Sequence, residues 1–178
     1  MVCRDAVYWL AGPGYDITCV FALDIRTGRT WTTELPMQCH LPTPDPEAFS
    51  SILATSGDGR LSLIRTLRGP NIQVWVLSDN AQWFLHQTIS IDLYSLLRHC
   101  SQESRCPTSN IPRSTYLSAF CPRSRCVVAM CSGQVLLIDV DSSGLRPHIR
   151  RIGKREWFQC CPYEIDSSST YILKMQHF

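Results

Sequence analysis

The sequence has no run approaching the ~20 consecutive apolar residues of a membrane-spanning helix, so no segment reads as a span. It lacks the outline of a secretory leader as well. Met1-Val2-Cys3-Arg4-Asp5 carries an acid, and no long apolar stretch follows it. Charge of one sign is missing: 17 basic and 15 acidic side chains leave a formal net charge of +2. That field is too weak to gather nucleic acid or an anionic membrane surface. No C-x2-C pair is present to nucleate a zinc site, and Gly12-Pro13-Gly14 is a turn and not a phosphate loop. Helical periodicity is nearly absent.

Cysteine, by contrast, is plentiful. Ten occur, and without a leader a reducing cytosol or nucleus is the expected compartment. Cys19, Cys121, Cys126 and Cys131 lie inside apolar runs, which favours packing over chemistry. Cys121, Cys126 and Cys131 are five apart, a step that places side chains on opposite faces of a strand. Cys160-Cys161 is a vicinal pair, and Cys39-His40 and His99-Cys100 are the Cys–His neighbours. None of these arrangements predicts a metal site, and no cofactor is expected.

Apolar residues instead come in runs of five to eight, broken by Gly, Asp, Ser, Asn and Pro, the rhythm of strands and turns. Ser56-Gly57-Asp58-Gly59, Arg26-Thr27-Gly28, Ser132-Gly133 and Ser142-Ser143-Gly144 supply the turn chemistry. One short helix is expected near 91–99, where Ser90 would cap a turn carrying Leu93, Leu96 and Leu97. Pro36–Phe49 and Ser101–Arg113 read as surface loops.

The runs repeat. Phe21–Trp31 and Val74–Trp83 share a strand, a polar turn and a Trp that opens the next strand, and Leu136–Gly144 repeats the apolar-Asp-apolar ending of Leu23-Asp24-Ile25. A period of ~40–50 residues built from four short strands is the pattern of a propeller blade. Three blades are predicted, at about 5–36, 50–91 and 114–153, with a closing strand at 170–175. The first is expected to hold only three strands. The fold class is therefore all-β, a partial β-propeller of four-stranded antiparallel sheets. A closed propeller typically has four to eight blades, so the end sheets should expose apolar faces.

Val7-Tyr8-Trp9-Leu10, Phe21-Ala22-Leu23-Asp24-Ile25, Glu34-Leu35-Pro36, Asp58-Gly59-Arg60-Leu61-Ser62-Leu63, Ile72-Gln73-Val74-Trp75-Val76-Leu77 and the Trp83 strand follow one another in order. Leu137-Ile138-Asp139-Val140 and Thr170-Tyr171-Ile172-Leu173 continue the series more loosely. In this order and spacing the chain resembles the F-box-associated β-propeller domain of plant, especially grass, F-box proteins. The resemblance implies a non-enzymatic protein-interaction module, the substrate-recognition half of an SCF-type ubiquitin ligase. Its partner would be a protein substrate of unknown identity. No F-box is legible ahead of Val7, so a Skp1-type adaptor is expected to bind only if an upstream F-box exists. The chain then reads as a truncated product or a partial gene.

Some propellers are glycoside hydrolases, which need two carboxylates at a set separation. The candidates are Asp24, Asp139, Asp58 and Glu34. Asp24 and Asp139 occupy equivalent repeat positions before a turn, where Asp bonds to turn backbone, so no catalytic residue is assigned. Trp9, Trp31, Trp75 and Trp83 are expected in the core. The basic cluster of Arg146, Arg150, Arg151, Lys154 and Arg155 reads as a solvated loop or edge, and Trp157-Phe158 beside it as a candidate contact. The inter-strand loops at one end of the sheets are where binding is expected, with no residue assigned to it.

Overall fold

A computed structural model of the chain describes residues 1–12, 17–39, 50–66, 71–91, 115–131, 134–141 and 149–154. They form three four-stranded antiparallel sheets in chain order. The first holds β1 (Val2–Cys3), β2 (Ala6–Ala11), β3 (Cys19–Asp24) and β4 (Thr30–Glu34). The second holds β5 (Ser51–Thr55), β6 (Leu61–Thr66), β7 (Asn71–Leu77) and β8 (Trp83–Ser90). The third holds β9 (Thr115–Cys121), β10 (Cys126–Cys131), β11 (Gln134–Asp139) and β12 (Ile149–Lys154). Each strand pairs with its sequence neighbour, so every sheet is a simple up-and-down meander.

Local sequence explains the meanders. The strands are rich in Val, Ile, Leu and aromatics, which suit a pleated, partly buried surface. Each of the five hairpins with a described loop contains one left-handed residue: Arg4, Gly28, Gly59, Ala81 and Arg125. Two turns match atom for atom. Ser56 N–H donates to Arg60 O at 2.8 Å and Arg60 N–H to Ser56 Oγ at 2.9 Å. Ser78 N–H donates to Gln82 O at 2.8 Å and Gln82 N–H to Ser78 Oγ at 3.1 Å.

Alternation along the strands sorts side chains to opposite faces. The clearest case is β6, all six residues of which are buried. Leu61 and Leu63 join a cluster with Val20, Leu35, Cys39 and Trp75, flanked by Tyr8 and Leu10 of the first sheet. Ile64, one step along, joins Ala54, Ile72, Val74 and Ile89 against Leu117, Val127, Ala129, Leu136 and Ile138 of the third sheet. The second sheet therefore lies between the other two and buries both of its faces.

Polar bonds reinforce these junctions. Leu117 N–H donates to Ser50 Oγ at 3.1 Å, and that hydroxyl donates to Leu117 O at 3.2 Å. Cys3 Sγ donates to Gly59 O at 3.2 Å. Gln87 Nε2 donates to Val140 O, and buried Arg65 donates to Cys39 O.

Several expectations change in detail. The first sheet has four strands, not three. Its extra strand, β1, has two residues, too few to show alternation, and is fixed to β2 by Tyr8 N–H donating to Met1 O at 2.7 Å. Trp75 is buried, but Trp9 and Trp31 are 42% and 41% exposed. Trp9 stands on the face of the first sheet turned away from the second, stacked on Phe21 at 4.7 Å, and Trp31 is on the edge strand β4. The five-residue cysteine step acts differently for the first of its two pairs, while Cys126 and Cys131 lie on one continuous strand. Cys121 and Cys126 are directly paired across the β9–β10 hairpin, because a turn and not a continuous strand separates them. The helix expected near 91–99, the strand at 170–175, Trp157-Phe158, Cys160-Cys161, His40 and His99-Cys100 lie outside the described residues, Ile91 excepted. So do Arg146 and Arg155 of the basic cluster, while the backbone of Arg150, Arg151 and Lys154 forms β12.

Candidate functional site

Within each sheet the odd-to-even connections turn on the same side, and the bonds of Cys3 to Gly59 and of Arg125 to Thr55 bring described hairpin tips of all three sheets to one end. Each sheet brings an Asp–Arg pair to this end. Arg26 reaches Asp5 at 3.1 Å, joining the two tips of the first sheet. Arg60 pairs with Asp58 within the β5–β6 tip. Arg125 grips Asp141 with two parallel bonds, Nε–Oδ2 at 2.6 Å and Nη2–Oδ1 at 3.1 Å, and its Nη1 donates to Thr55 Oγ1 at 3.4 Å. That last contact fastens the third sheet to the second. The guanidinium carbons of Arg60 and Arg125 also lie over the rings of Phe84 and Phe120, at 5.9 and 5.7 Å.

These contacts set the charge states. The Arg60 side chain, helped by the Ser56 hydroxyl, holds the Asp58 carboxyl well below the usual carboxylate range. Bonding to Asp58 raises Arg60 in return. The Asp24 carboxyl is lowered chiefly by the backbone N–H of Thr27.

Between the tips the sheets part and leave two clefts. One, of about 340 Å3, separates the second and third sheets. Ala54, Ser62, Ile64, Val74 and Val76 of the second sheet line it, with Phe84 and His86 from β8 and Val140, Arg125 and Asp141 from the third. His86 is the extra residue of a bulge, since Val74 pairs with Gln87 and Trp75 with Leu85. The other cleft, about 460 Å3, separates the first and second sheets and is lined in part by Tyr8, Trp31, Glu34, Arg60 and Leu77.

The candidate carboxylates are not brought into one site. Asp24 accepts the N–H groups of Arg26 at 2.8 Å and Thr27 at 2.7 Å. Asp139, its counterpart two sheets away, accepts the N–H of Asp141 at 2.9 Å. Both shape turns, in keeping with their matched repeat positions. Asp58 lines both the turn and the 340 Å3 cleft with Arg60 attached, and Glu34 lines the other cleft. Among the described residues no group of three His, Cys, Asp or Glu side chains is placed to hold a metal ion, and no helix is long and apolar enough to cross a membrane.

The sequence did not single out Ser62, Arg125 or Asp141. A usable signal existed for Ser62, which with Thr66 is one of two small polar residues flanking Ile64 on the face of β6 turned toward the third sheet. The Arg125–Asp141 pair spans 16 positions and two strands, and nothing local announces it.

No family model, curated protein or solved structure matches the chain.

Proposed function

We propose that the chain is a non-enzymatic protein-interaction module whose three sheets are consecutive blades of a propeller-like array. Its hairpin end would bind a protein partner in the cytosol or nucleus. The observation that carries this is the enclosure of β6 on both faces by neighbouring sheets. Side-by-side stacking of identical meanders produces that enclosure, and a two-layer sandwich leaves one face of each sheet outward. Such stacking makes a rigid base and gathers loops at one end, the arrangement binding proteins use. The resemblance to F-box-associated domains extends this to substrate recognition in an SCF-type ubiquitin ligase. The turn-bonded Asp24 and Asp139 support a binding role over glycoside hydrolysis.

The test compares proteins co-purified with the tagged chain and with a tip variant, Arg26→Glu with Arg60→Glu, both checked for unchanged circular dichroism. Partners retained by the parent and lost by the variant, and ubiquitinated when the chain is present, are the expected result. An unchanged partner set would remove the hairpin end as the binding surface. Turnover of a glycoside panel, abolished by Asp24→Asn or Asp139→Asn, would replace the binding reading with a hydrolase.

A further inference from the structure

Resting on that binding role, we propose that the 340 Å3 cleft between the second and third sheets receives an uncharged tyrosine side chain of the bound polypeptide. Three observations converge on this chemistry. The first is size and lining: the volume falls in the range of small-ligand clefts, and Ala54, Ile64, Val74, Val76 and Phe84 form an apolar wall alongside polar groups that include Asp58, Arg60, His86, Arg125 and Asp141. That suits a flat hydrocarbon ring.

The second is a buried hydroxyl. Ser62 lines this cleft at 2% exposure, and its Oγ makes no hydrogen bond. Buried hydroxyls are ordinarily bonded, so an entering group that reaches Ser62 gains a bond that a pure hydrocarbon leaves unmade. A phenol carries its oxygen at the far end of the ring axis, and Ser62 can both donate to it and accept from it.

The third is charge. Both guanidiniums at the cleft are already compensated, Arg60 by Asp58 and Arg125 by Asp141. A phosphate or carboxylate reaching for either arginine would come up against the carboxylate already bonded to it, or have to take that carboxylate's place. An uncharged phenol asks for no such exchange, and the rim arginines can border its ring as they border Phe84 and Phe120.

The experiment titrates the 15N-labelled full chain with N-acetyl-tyrosinamide, N-acetyl-phenylalaninamide and the O-phosphorylated tyrosine amide. The tyrosine compound should shift the amide signals of Ser62, Val76 and Arg125 and bind about tenfold more tightly than the phenylalanine compound. The phosphorylated form should bind more weakly than tyrosine. Ser62→Ala should reduce tyrosine binding to the phenylalanine level and leave phenylalanine binding unchanged, and Val76→Phe should block both. Equal binding of the two amides, preference for the phosphorylated form, shifts confined to other sites, or no shift from any compound would overturn the proposal. If these fail while the tip variant still loses its partners, the cleft assignment falls and the binding role stands. If the tip variant loses nothing, the binding role itself falls.

Discussion

The first and second sheets share a topology, left-handed hairpin residues and a similar stock of aromatics, yet they end in opposite states. All six residues of β6 are buried, against one of the six in β2, its counterpart as second strand of the first sheet. Trp75 is core, and Trp9 and Trp31 meet solvent. The difference is one of neighbours. The second sheet has a sheet against each face, and the first has the second sheet on one face only among the described residues. Strand sequence thus selects the meander, and position in the stack decides what each face is worth.

The largest effect that can sharpen this comparison comes from matched truncations. Leu63→Ala, at a fully buried site between two sheets, should cost about 3–4 kcal/mol. Leu23→Ala, on the outward face of the first sheet, should cost less than about 1 kcal/mol. Urea denaturation of both variants checks this. Similar losses would mean that the two sheets are enclosed alike.

Next comes the junction between the second and third sheets. Ser50→Ala removes both bonds to Leu117 and leaves its backbone groups unpaired at a partly buried place. A loss of about 1–3 kcal/mol is expected. It should appear together with faster hydrogen exchange at the Leu117 amide, and no change at the junction of the first and second sheets.

A smaller effect tests the repeated turns. Gly59 and Ala81 occupy matching left-handed positions, at φ 76° and 60°. An added Cβ at Gly59 meets no atom within 4 Å, so Gly59→Ala reports backbone strain alone, about 1 kcal/mol. Ala81→Gly should move stability slightly upward, because Ala already bears that strain. Thermal melts of the two variants displaced in the same direction would break the equivalence of the turns.

The smallest effect concerns acid. The folded pKa of Asp58 lies below its ordinary value of 3.8. Its contribution is therefore complete above that value and fades as pH falls through the lower folded pKa. Asp58→Asn should weaken the chain at neutral pH and matter progressively less below about pH 4, read as converging urea midpoints. The wide exposure of the pair keeps this effect small.

The sheets were legible because their cues are local. Segments such as Val7-Tyr8-Trp9-Leu10 and Ile72-Gln73-Val74-Trp75-Val76-Leu77 fall inside strands, and the matched Asp24 and Asp139 announced their turns. Other features depend on distant partners. β1 is fixed by Met1–Tyr8 bonds, and the exposure of Trp9 depends on whether another sheet covers it. The candidate site was hardest to see. Arg125 and Asp141 meet within the third sheet, but Ser62 joins them only once two sheets are stacked, so no spacing along the chain foretells their cleft.

Enclosure of the second sheet can be measured in one methyl-resolved NOE spectrum. Leu61 and Leu63 should show cross-peaks to Val20 and Leu10 of the first sheet, and Ile64 and Ile72 to Val127, Leu136 and Ile138 of the third. Methyls of both sets reaching the same neighbouring sheet, or one set reaching none, would contradict the side-by-side stacking on which the proposed binding role rests.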